Sequence, residues 1–526
     1  MAPLLRGMAC TWCNMVSERA AAARARVGAA STELKRRQLV QVSYLAERIA
    51  GSRVLGSRET EVTRVVHDSR GVRAGDLFVA VSGTRVDGHR FVQAALDAGA
   101  AAAAVERAVQ LPGEPTLLVV PDTRAALGIA AHALAGDPSE RLTVCGVTGT
   151  NGKTTTTYLV RSVFEAAGWP TGLIGTIGCL IGKREIRSRM TTPDAPELAA
   201  YFAEMAAGGL RAAVMEVSSH ALHQRRTAGI AFDVAAFTNL TPEHLDYHED
   251  MVSYREAKGR LFAELSRGAT AVLNADDPVS QTFAESTVAR VLWYGVEAPA
   301  DVRAEDVRSD LSGSRFGLVT PGGRAEVRTP LLGLHNVRNC LAAAAIAEAL
   351  GVSPDAVVGG IEATATVRGR LEPVCEGGPF TVLVDYAHTA DALENALSAV
   401  RGLTAGRLTL VFGCGGDRDR QKRPEMARMA QKMADRVIVT SDNPRSEDPQ
   451  AIADEILAGF SSPRVAEVEL DRRAAIERAL REARAGDVVL IAGKGHETYQ
   501  ESRDGVRPFD DRAVARELLG CEDGAA

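Results

Sequence analysis

Three stretches carry residue types whose spacing could do chemistry. The first is Gly146-Val147-Thr148-Gly149-Thr150-Asn151-Gly152-Lys153-Thr154-Thr155. It follows an apolar run and precedes a helical segment, the strand–turn–helix setting in which backbone N–H groups cradle phosphates. The glycines let those groups turn toward a ligand, Lys153 can reach the outer phosphates, and the Thr154 hydroxyl can hold Mg²⁺. Gly149, Thr150, Asn151, Gly152, Lys153, Thr154 and Thr155 are therefore expected to bind a nucleotide. The strict pattern asks for glycine at position 147. This chain has Val147 there and Gly146 one residue earlier, so the loop is a variant.

The second stretch is residues 250–262. On a helix, Met251, Tyr254, Lys258, Leu261 and Phe262 share one stripe. A lysine on an apolar stripe is costly to bury. Either its amine reaches out to water, or it is desolvated, with a lowered pKa and available for chemistry. Just upstream, His244 and His248 stand four apart, as in a zinc-protease helix. That motif needs Glu directly after the first His, and Leu245 is there instead, so the protease reading fails. A polar loop is the structural alternative. The third stretch is Met215-Glu216-Val217-Ser218-Ser219-His220. Glu216 ends a buried strand, where a carboxylate is a natural Mg²⁺ ligand. Ser218 or Ser219 can equally cap a helix, and both can hold at once.

The elements that must position these groups fall into three textures. Residues 39–140 alternate short strands (76–82 and 115–121) with Ala-rich helical stretches such as 91–101, the pattern of a small α/β domain. Residues 141–366 contain short apolar strands at 142–147, 212–216, 234–238 and 271–274, as in a parallel sheet buried on both faces. An alternating segment, 302–329, suggests an antiparallel insertion, and a helix over 337–350 closes this domain. Residues 367–526 carry strands at 380–385, 408–412, 436–440 and 487–492 with helices between, a Rossmann-like doubly wound pattern. The expected fold is thus α/β in three domains: a central phosphate-loop, parallel-sheet ATPase domain flanked by a small N-terminal α/β domain and a Rossmann-like C-terminal one. Residues 1–38 read as a disordered extension or as the product of a mis-assigned start codon.

Composition narrows the function. Of 526 residues, 46% are hydrophobic and 24% charged, as in globular proteins. The net charge of −6, spread along the chain, argues against nucleic acid or an anionic membrane as the main partner. No apolar run reaches the roughly 18 residues of a membrane span. Eight cysteines are scattered apart from Cys10 and Cys13, whose CxxC spacing lacks a second pair for a zinc ribbon. That scatter suits a reducing cytoplasm.

Together these motifs resemble the Mur ligase family, from about residue 39 to the C-terminus. The resemblance implies an ATP-dependent ligase of peptidoglycan synthesis that forms an amide bond through an acyl phosphate. Lys153, Glu216, His244 and Lys258 would be its catalytic residues. It implies that Lys258 carries a CO₂-derived carbamate, which makes it an anionic Mg²⁺ ligand. Two Mg²⁺ ions are implied, one held by Glu216, His244 and Lys258 and the other by Thr154 and Glu216. Asn336, Asn339 and Asp385 match the family's ATP contacts. His67, Ser69, Thr84, Arg85 and Val86 match uridine-side positions, and Thr191, Thr192, Ser218, Gln224 and Arg226 match contacts to the muramyl peptide. Met190 stands where some relatives place Asn, so no polar contact is assigned to it. Asp442-Asn443-Pro444-Arg445 resembles the tetrapeptide of members that add meso-diaminopimelate to UDP-MurNAc-L-Ala-D-Glu. Arg418, Gly493 and Glu497 match further amino-acid contacts. Arg445 could grip the extra carboxylate of diaminopimelate bidentately, while Asn443-Pro444 also reads as a turn. The resemblance further implies a cytoplasmic monomer with no nucleic-acid partner and no membrane insertion. A lysine-adding or folylpolyglutamate-type ligase is the near rival. A GTPase would need Asn-Lys-x-Asp, and Asn274-Ala275-Asp276-Asp277 lacks the lysine. A catalytically dead scaffold would not need Lys153, Glu216, His244 and Lys258 together.

Overall fold

The structure, a computed structural model, describes residues 39–83, 86–375, 377–462 and 466–521. The expected extension, the Cys10–Cys13 pair, and Thr84 and Arg85 lie outside the described residues. The chain forms two compact units, one of residues up to 146 with 169–233, the other of 147–168 with 234 onward.

The first unit holds a five-stranded sheet. Arg64–Val66, Asp76–Val79, Ala102–Val105 and Leu117–Val119 run parallel, and Arg53–Leu55 adds an antiparallel edge. The three strands after the first are buried at every position, as a sheet covered on both faces requires. Helix Thr123–Leu134 packs on one face, its start fixed by Asp122, whose carboxylate accepts from Arg124 N and Ala125 N. The helix expected over 91–101 is shorter. A 3₁₀ turn Gly88–Phe91 leads into Val92–Asp97, and Gly99 at φ +105° turns the chain away. This unit also contains Ala212–Glu216 parallel to Thr171–Ile174, which pairs antiparallel with Cys179–Ile181.

The second unit contains parallel strands Val234–Phe237, Thr270–Asn274 and Arg290–Gly295, followed by the start of Val302–Asp310. Val302–Asp310, Gly313–Thr320 and Gly323–Thr329 form the expected antiparallel insertion. The closing helix starts earlier than expected, at Leu334 rather than 337, because Gly333 at φ +87° begins it. Asn336 and Asn339 consequently sit in its first turns. A six-stranded sheet follows, ordered Glu372–Pro373, Thr381–Asp385, Val488–Ala492, Leu408–Phe412, Arg436–Val439 and Ala466–Val468. All neighbours but the first pair are parallel. Apolar clusters cover both faces, which is the doubly wound arrangement.

Scatter of cysteines along the sequence does not carry over to space. Cys375 and Cys521, 146 residues apart, form a disulfide. The C-terminal helix Asp511–Leu519 packs on the face that holds Val374, and this brings the two thiols together. Cys145, Cys179, Cys340 and Cys414 are buried free thiols.

Candidate active site

Strand Thr143–Thr148 delivers the chain into the loop, and helix Lys153–Ala166 carries it away. The turn needs two glycines in backbone regions closed to other residues, Gly149 at φ +150° and Gly152 at φ +86°. A Cβ on Gly149 would run into Thr238 Oγ1, and one on Gly152 into Asn339 Oδ1. The loop is bolted to residues 238–241. Thr150 N donates to Asn239 O (2.8 Å), Asn151 N to Asn239 Oδ1 (2.9 Å) and Thr238 Oγ1 to Asn151 O (2.6 Å). Lys153 Nζ folds back onto Gly149 O (2.8 Å) and Thr150 O (2.6 Å).

Lys258 sits on helix Met251–Ala263, whose start Asp250 caps. Tyr254, Lys258, Leu261 and Phe262 of the expected stripe are buried, and Met251 is half-buried. The lysine does not snorkel. It is 1% exposed and donates to Gly149 O at 2.8 Å, with Nζ 4.4 Å from the Tyr254 ring centre. Burial pushes its amine well below the usual lysine value, and the Lys153 charge adds to this. His244 takes a left-handed conformation (φ +57°) before the short helix Leu245–His248. Burial lowers its pKa, Glu243 opposes, and the Lys153 and Lys258 charges reinforce burial. Glu243 lies between His244 Nε2 (3.7 Å) and His388 Nε2 (3.6 Å). Burial would raise its carboxyl, but the His388 and His244 imidazoles and Lys153 outweigh burial and hold it below the usual range.

Beside the loop opens a cleft of about 330 Å³, within the range of small-ligand sites. Asn151, Thr154, Asn336, Asn339, Arg370 and Asp385 line it. Asn339 Nδ2 donates to Asn336 Oδ1 (3.0 Å), and Arg370 Nη2 donates to Thr154 Oγ1 (3.2 Å). Asp385 uses both oxygens on backbone, accepting from Leu371 N and Ala387 N at 2.7 Å each. It thereby braces the backbone at Leu371 and Ala387, and burial pushes its carboxyl up. Asp391 also lines the cleft and accepts from Asn151 Nδ2 (2.5 Å) and Thr241 Oγ1 (3.1 Å). Sequence reasoning missed Asp391, Glu243 and His388. Their only signal was closeness in the chain to Asp385 and His244.

In the first unit, Glu216 is buried at the end of its strand. Its two oxygens accept from Thr176 N (2.7 Å) and Thr176 Oγ1 (3.0 Å). Around it gather Thr191, bonded to Thr176 Oγ1, and Thr192, which donates to Glu216 O at 2.9 Å. Ser218 receives Thr192 and caps Ser219–His223 through Ala221 N, so the capping alternative is present beside the carboxylate. Arg226 donates to Gln224 Oε1 (Nε 3.0 Å, Nη2 2.6 Å), to Thr192 O (2.8 Å) and to Met190 Sδ (3.2 Å). Met190 thus meets a polar group after all, through its sulfur. This network does not extend to His67, Ser69 or Val86. Ser69 lies in a 3₁₀ turn capped by Asp68, and Val86 is exposed.

Residues expected at the amino-acid end lie in the second unit. Asn443 Nδ2 donates to Glu497 Oε2 (2.8 Å), and the fully buried Lys494 donates to Asn443 Oδ1 and Glu497 Oε2, both at 3.1 Å. Gly493 touches Asp442 so closely that a Cβ would stand 2.6 Å from its carboxylate. Pro444 and Arg445 follow in the same turn, Arg445 at φ +51°. Arg418 lies on an exposed loop and donates to Asp417 O (3.2 Å). Lys494 was missed because a lysine between glycines reads as solvent-facing.

Among the described residues, no three His, Cys, Asp or Glu side chains converge as a metal site. The donors expected from the sequence, a threonine hydroxyl, one imidazole, a carboxylate and a lysine, are a different set. The desolvated amine of Lys258 and the lowered pKa of His244 suit that set, because both leave the nitrogen neutral.

Residues 61–140, 147–347 and 369–495 match, in chain order, the Mur ligase family catalytic domain, the Mur ligase middle domain and the Mur ligase glutamate ligase domain. The chain belongs to the Mur ligase family. This Mur ligase is 46% identical over 470 residues to the UDP-N-acetylmuramoyl-L-alanyl-D-glutamate–2,6-diaminopimelate ligase of Bacillus licheniformis, covering 88% of this chain and 96% of that one. It is 47% identical over 486 residues to the ligase of the same name from Geobacillus thermodenitrificans, covering 91% and 99%. A solved structure of a ligase of that name superimposes with a TM-score of 0.67 at 33% identity, covering 92% and 99%. The Mur ligase architecture is α/β with three domains, and the sheets described above fit it. No helix among the described residues is long and apolar enough to cross a membrane.

Proposed function

We propose that this Mur ligase joins meso-diaminopimelate to the D-glutamate side-chain carboxylate of UDP-MurNAc-L-Ala-D-Glu, using ATP and releasing ADP and phosphate. The observation that carries the nucleotide half is the glycine cradle at Gly149 and Gly152, opening into the cleft beside Lys153 and Thr154. The amino-acid half rests on Asn443, bonded to Glu497 within the turn that also carries Asp442 and Arg445, and on the activity that the relatives are named for.

A carboxylate is a poor electrophile, and ATP repels it. The loop N–H groups hold the phosphates, and Lys153 leaves its own loop carbonyls to neutralise the transferring one. Transfer joins a carboxylate oxygen to the γ-phosphorus and breaks its bond to ADP. The neutral amine of diaminopimelate then attacks the acyl carbon, a C–N bond forms, phosphate leaves and the amine proton is released. Two Mg²⁺ ions, when bound, supply charge screening between the phosphates and the carboxylate. Thr154, Glu216, His244 and Lys258, which the family resemblance assigns to the metal, would hold them. Lys258 serves as its carbamate: its neutral nitrogen adds to CO₂ and sheds a proton. That chemistry needs a desolvated lysine such as this one. Asn336, Asn339 and Asp385 serve the nucleotide side. Thr191, Thr192, Ser218, Gln224 and Arg226 serve the muramyl peptide, and His67, Ser69 and Val86 the uridine. Each chain carries both its own nucleotide cleft and its own amino-acid cluster, which supports a monomer. Use of ATP supports work in the cytoplasm.

The test is phosphate release by purified protein with ATP, Mg²⁺ and the UDP-muramyl dipeptide, adding meso-diaminopimelate or L-lysine. Release with diaminopimelate alone, with a tripeptide product of the right mass, is expected. Release with lysine instead would overturn the role of Arg445.

A further inference from the structure

Arg445 is held by a hairpin that the reaction does not obviously need. Tyr499–Ser502 and Gly505–Pro508 pair as an isolated two-stranded ribbon beyond the six-stranded sheet. This ribbon binds the turn from Asp442 to Ser446 residue by residue. Gln500 Nε2 donates to Asp442 O (2.7 Å), and Glu501 N donates to Asn443 Oδ1 (3.0 Å). Arg445 N donates to Glu501 O (3.0 Å), and Arg503 Nε donates to Ser446 O (2.5 Å). The turn needs such support, because Arg445 has φ +51°, a region sparsely populated by residues with a side chain.

The side chain of Arg445 is fixed as well. Its Nε donates to Glu501 Oε2 at 3.2 Å and its Nη1 to Gly416 O at 2.7 Å. Gly415 makes room, since a Cβ there would lie 3.0 Å from Nη1, and a Cβ on Gly416 would strike Pro444 O. A guanidinium has five N–H donors and can offer a carboxylate either its Nε–Nη2 edge or its Nη1–Nη2 edge. With Nε taken by Glu501, the first edge is closed. Gly416 uses one of the two Nη1 hydrogens. Nη2 and the second Nη1 hydrogen are the donors left for a ligand.

We propose that Glu501 is a specificity-determining positioning residue, which fixes Arg445 so that one guanidinium edge faces the far carboxylate of a diamino diacid. This rests on the assignment of that carboxylate to Arg445. Glu501 touches no reacting atom. It acts by removing the rotamers and the second edge that Arg445 would otherwise sample, so that a bidentate contact forms without reordering. Lysine has no far carboxylate, so its use should not depend on Glu501.

The experiment compares wild type, Glu501→Ala, Glu501→Gln and Arg445→Met in steady state with meso-diaminopimelate and with L-lysine. Glu501 is partly exposed, with 40% of its side chain accessible, so its variants keep the fold. Glu501→Ala is expected to raise KM for diaminopimelate by about tenfold. The kcat and the KM for ATP should not move, and no activity with lysine should appear. Glu501→Gln keeps an oxygen that accepts from Nε, and is expected to restore KM to within about twofold. Should Arg445→Met raise KM for diaminopimelate while Glu501→Ala does not, the positioning role is wrong and the carboxylate assignment stands. Should Glu501→Gln be as defective as Glu501→Ala, charge rather than orientation is at work, and the proposal fails. No effect from Arg445→Met overturns the carboxylate assignment and the proposal with it.

Discussion

His132 offers a quantitative test of the burial pattern in the first unit. It lies in the last turn of helix Thr123–Leu134, fully buried, with its ring 5.9 Å from that of Phe202. Among the described residues neither ring nitrogen has a hydrogen-bond partner. Burial, with a smaller contribution from the Arg48 charge, pushes its pKa down to about 4 from 6.5. A depressed imidazole binds its proton more tightly in the unfolded chain. Its contribution to stability is therefore complete above pH 6.5 and falls as pH drops toward 4. Each tenfold difference in proton affinity is worth about 1.4 kcal/mol, so going from pH 7.5 to pH 5 should remove about 2 kcal/mol through this residue alone. His335 and His496 are also depressed, to about 4 and about 3, and contribute in the same direction. The informative comparison is therefore between wild type and His132→Leu, which keeps an apolar side chain in the site and cannot titrate. Pulsed hydrogen exchange of the peptide 123–134 across a urea series reports the local stability of each at both pH values. The stability difference, variant minus wild type, should grow by about 2 kcal/mol on acidification. Parallel behaviour of the two proteins, with a change below about 0.5 kcal/mol, would refute a buried, unpartnered His132.

Other outcomes follow from the second unit. Gly152→Ala forces a side chain to φ +86° and into Asn339, so ATP binding by calorimetry should weaken by more than about tenfold while the protein stays folded. Wild-type activity should fall in CO₂-free buffer and recover with bicarbonate. Lys258→Ala should be nearly inactive at any bicarbonate concentration, and bicarbonate-independent wild-type activity would exclude the carbamate. Arg472 and Asp511 form a fully buried pair with contacts at 2.7 Å, and Arg472 also donates to Ser441 O and Ala492 O. Arg472→Met should cost about 3–5 kcal/mol in chemical denaturation. The double variant Arg472→Met, Asp511→Leu should recover most of that, because the lone buried carboxylate is then gone.

The sequence by itself determined what depends on local order. Gly-Lys-Thr after an apolar strand announced the phosphate loop, because the backbone turn that holds phosphates needs glycine at fixed offsets. The 3.6-residue period placed Lys258 on the buried stripe, and alternation marked the insertion at 302–329. The roles of Glu216, His244 and Asp442–Arg445 were legible only through the family resemblance, not from period or spacing. What the sequence left open was every question of which groups meet. Whether Lys258 snorkels or is desolvated depends on how tightly its helix packs on the Gly149 carbonyl. The tertiary structure decided that Asp385 spends both oxygens on backbone and that Asp391 reaches Asn151, 240 residues away in the chain. It also brought Cys375 to Cys521 and laid a hairpin against Arg445. These are contacts between residues far apart in sequence. Neither period nor spacing encodes them, since they exist only once sheets and helices have packed and fixed which side chains share a space.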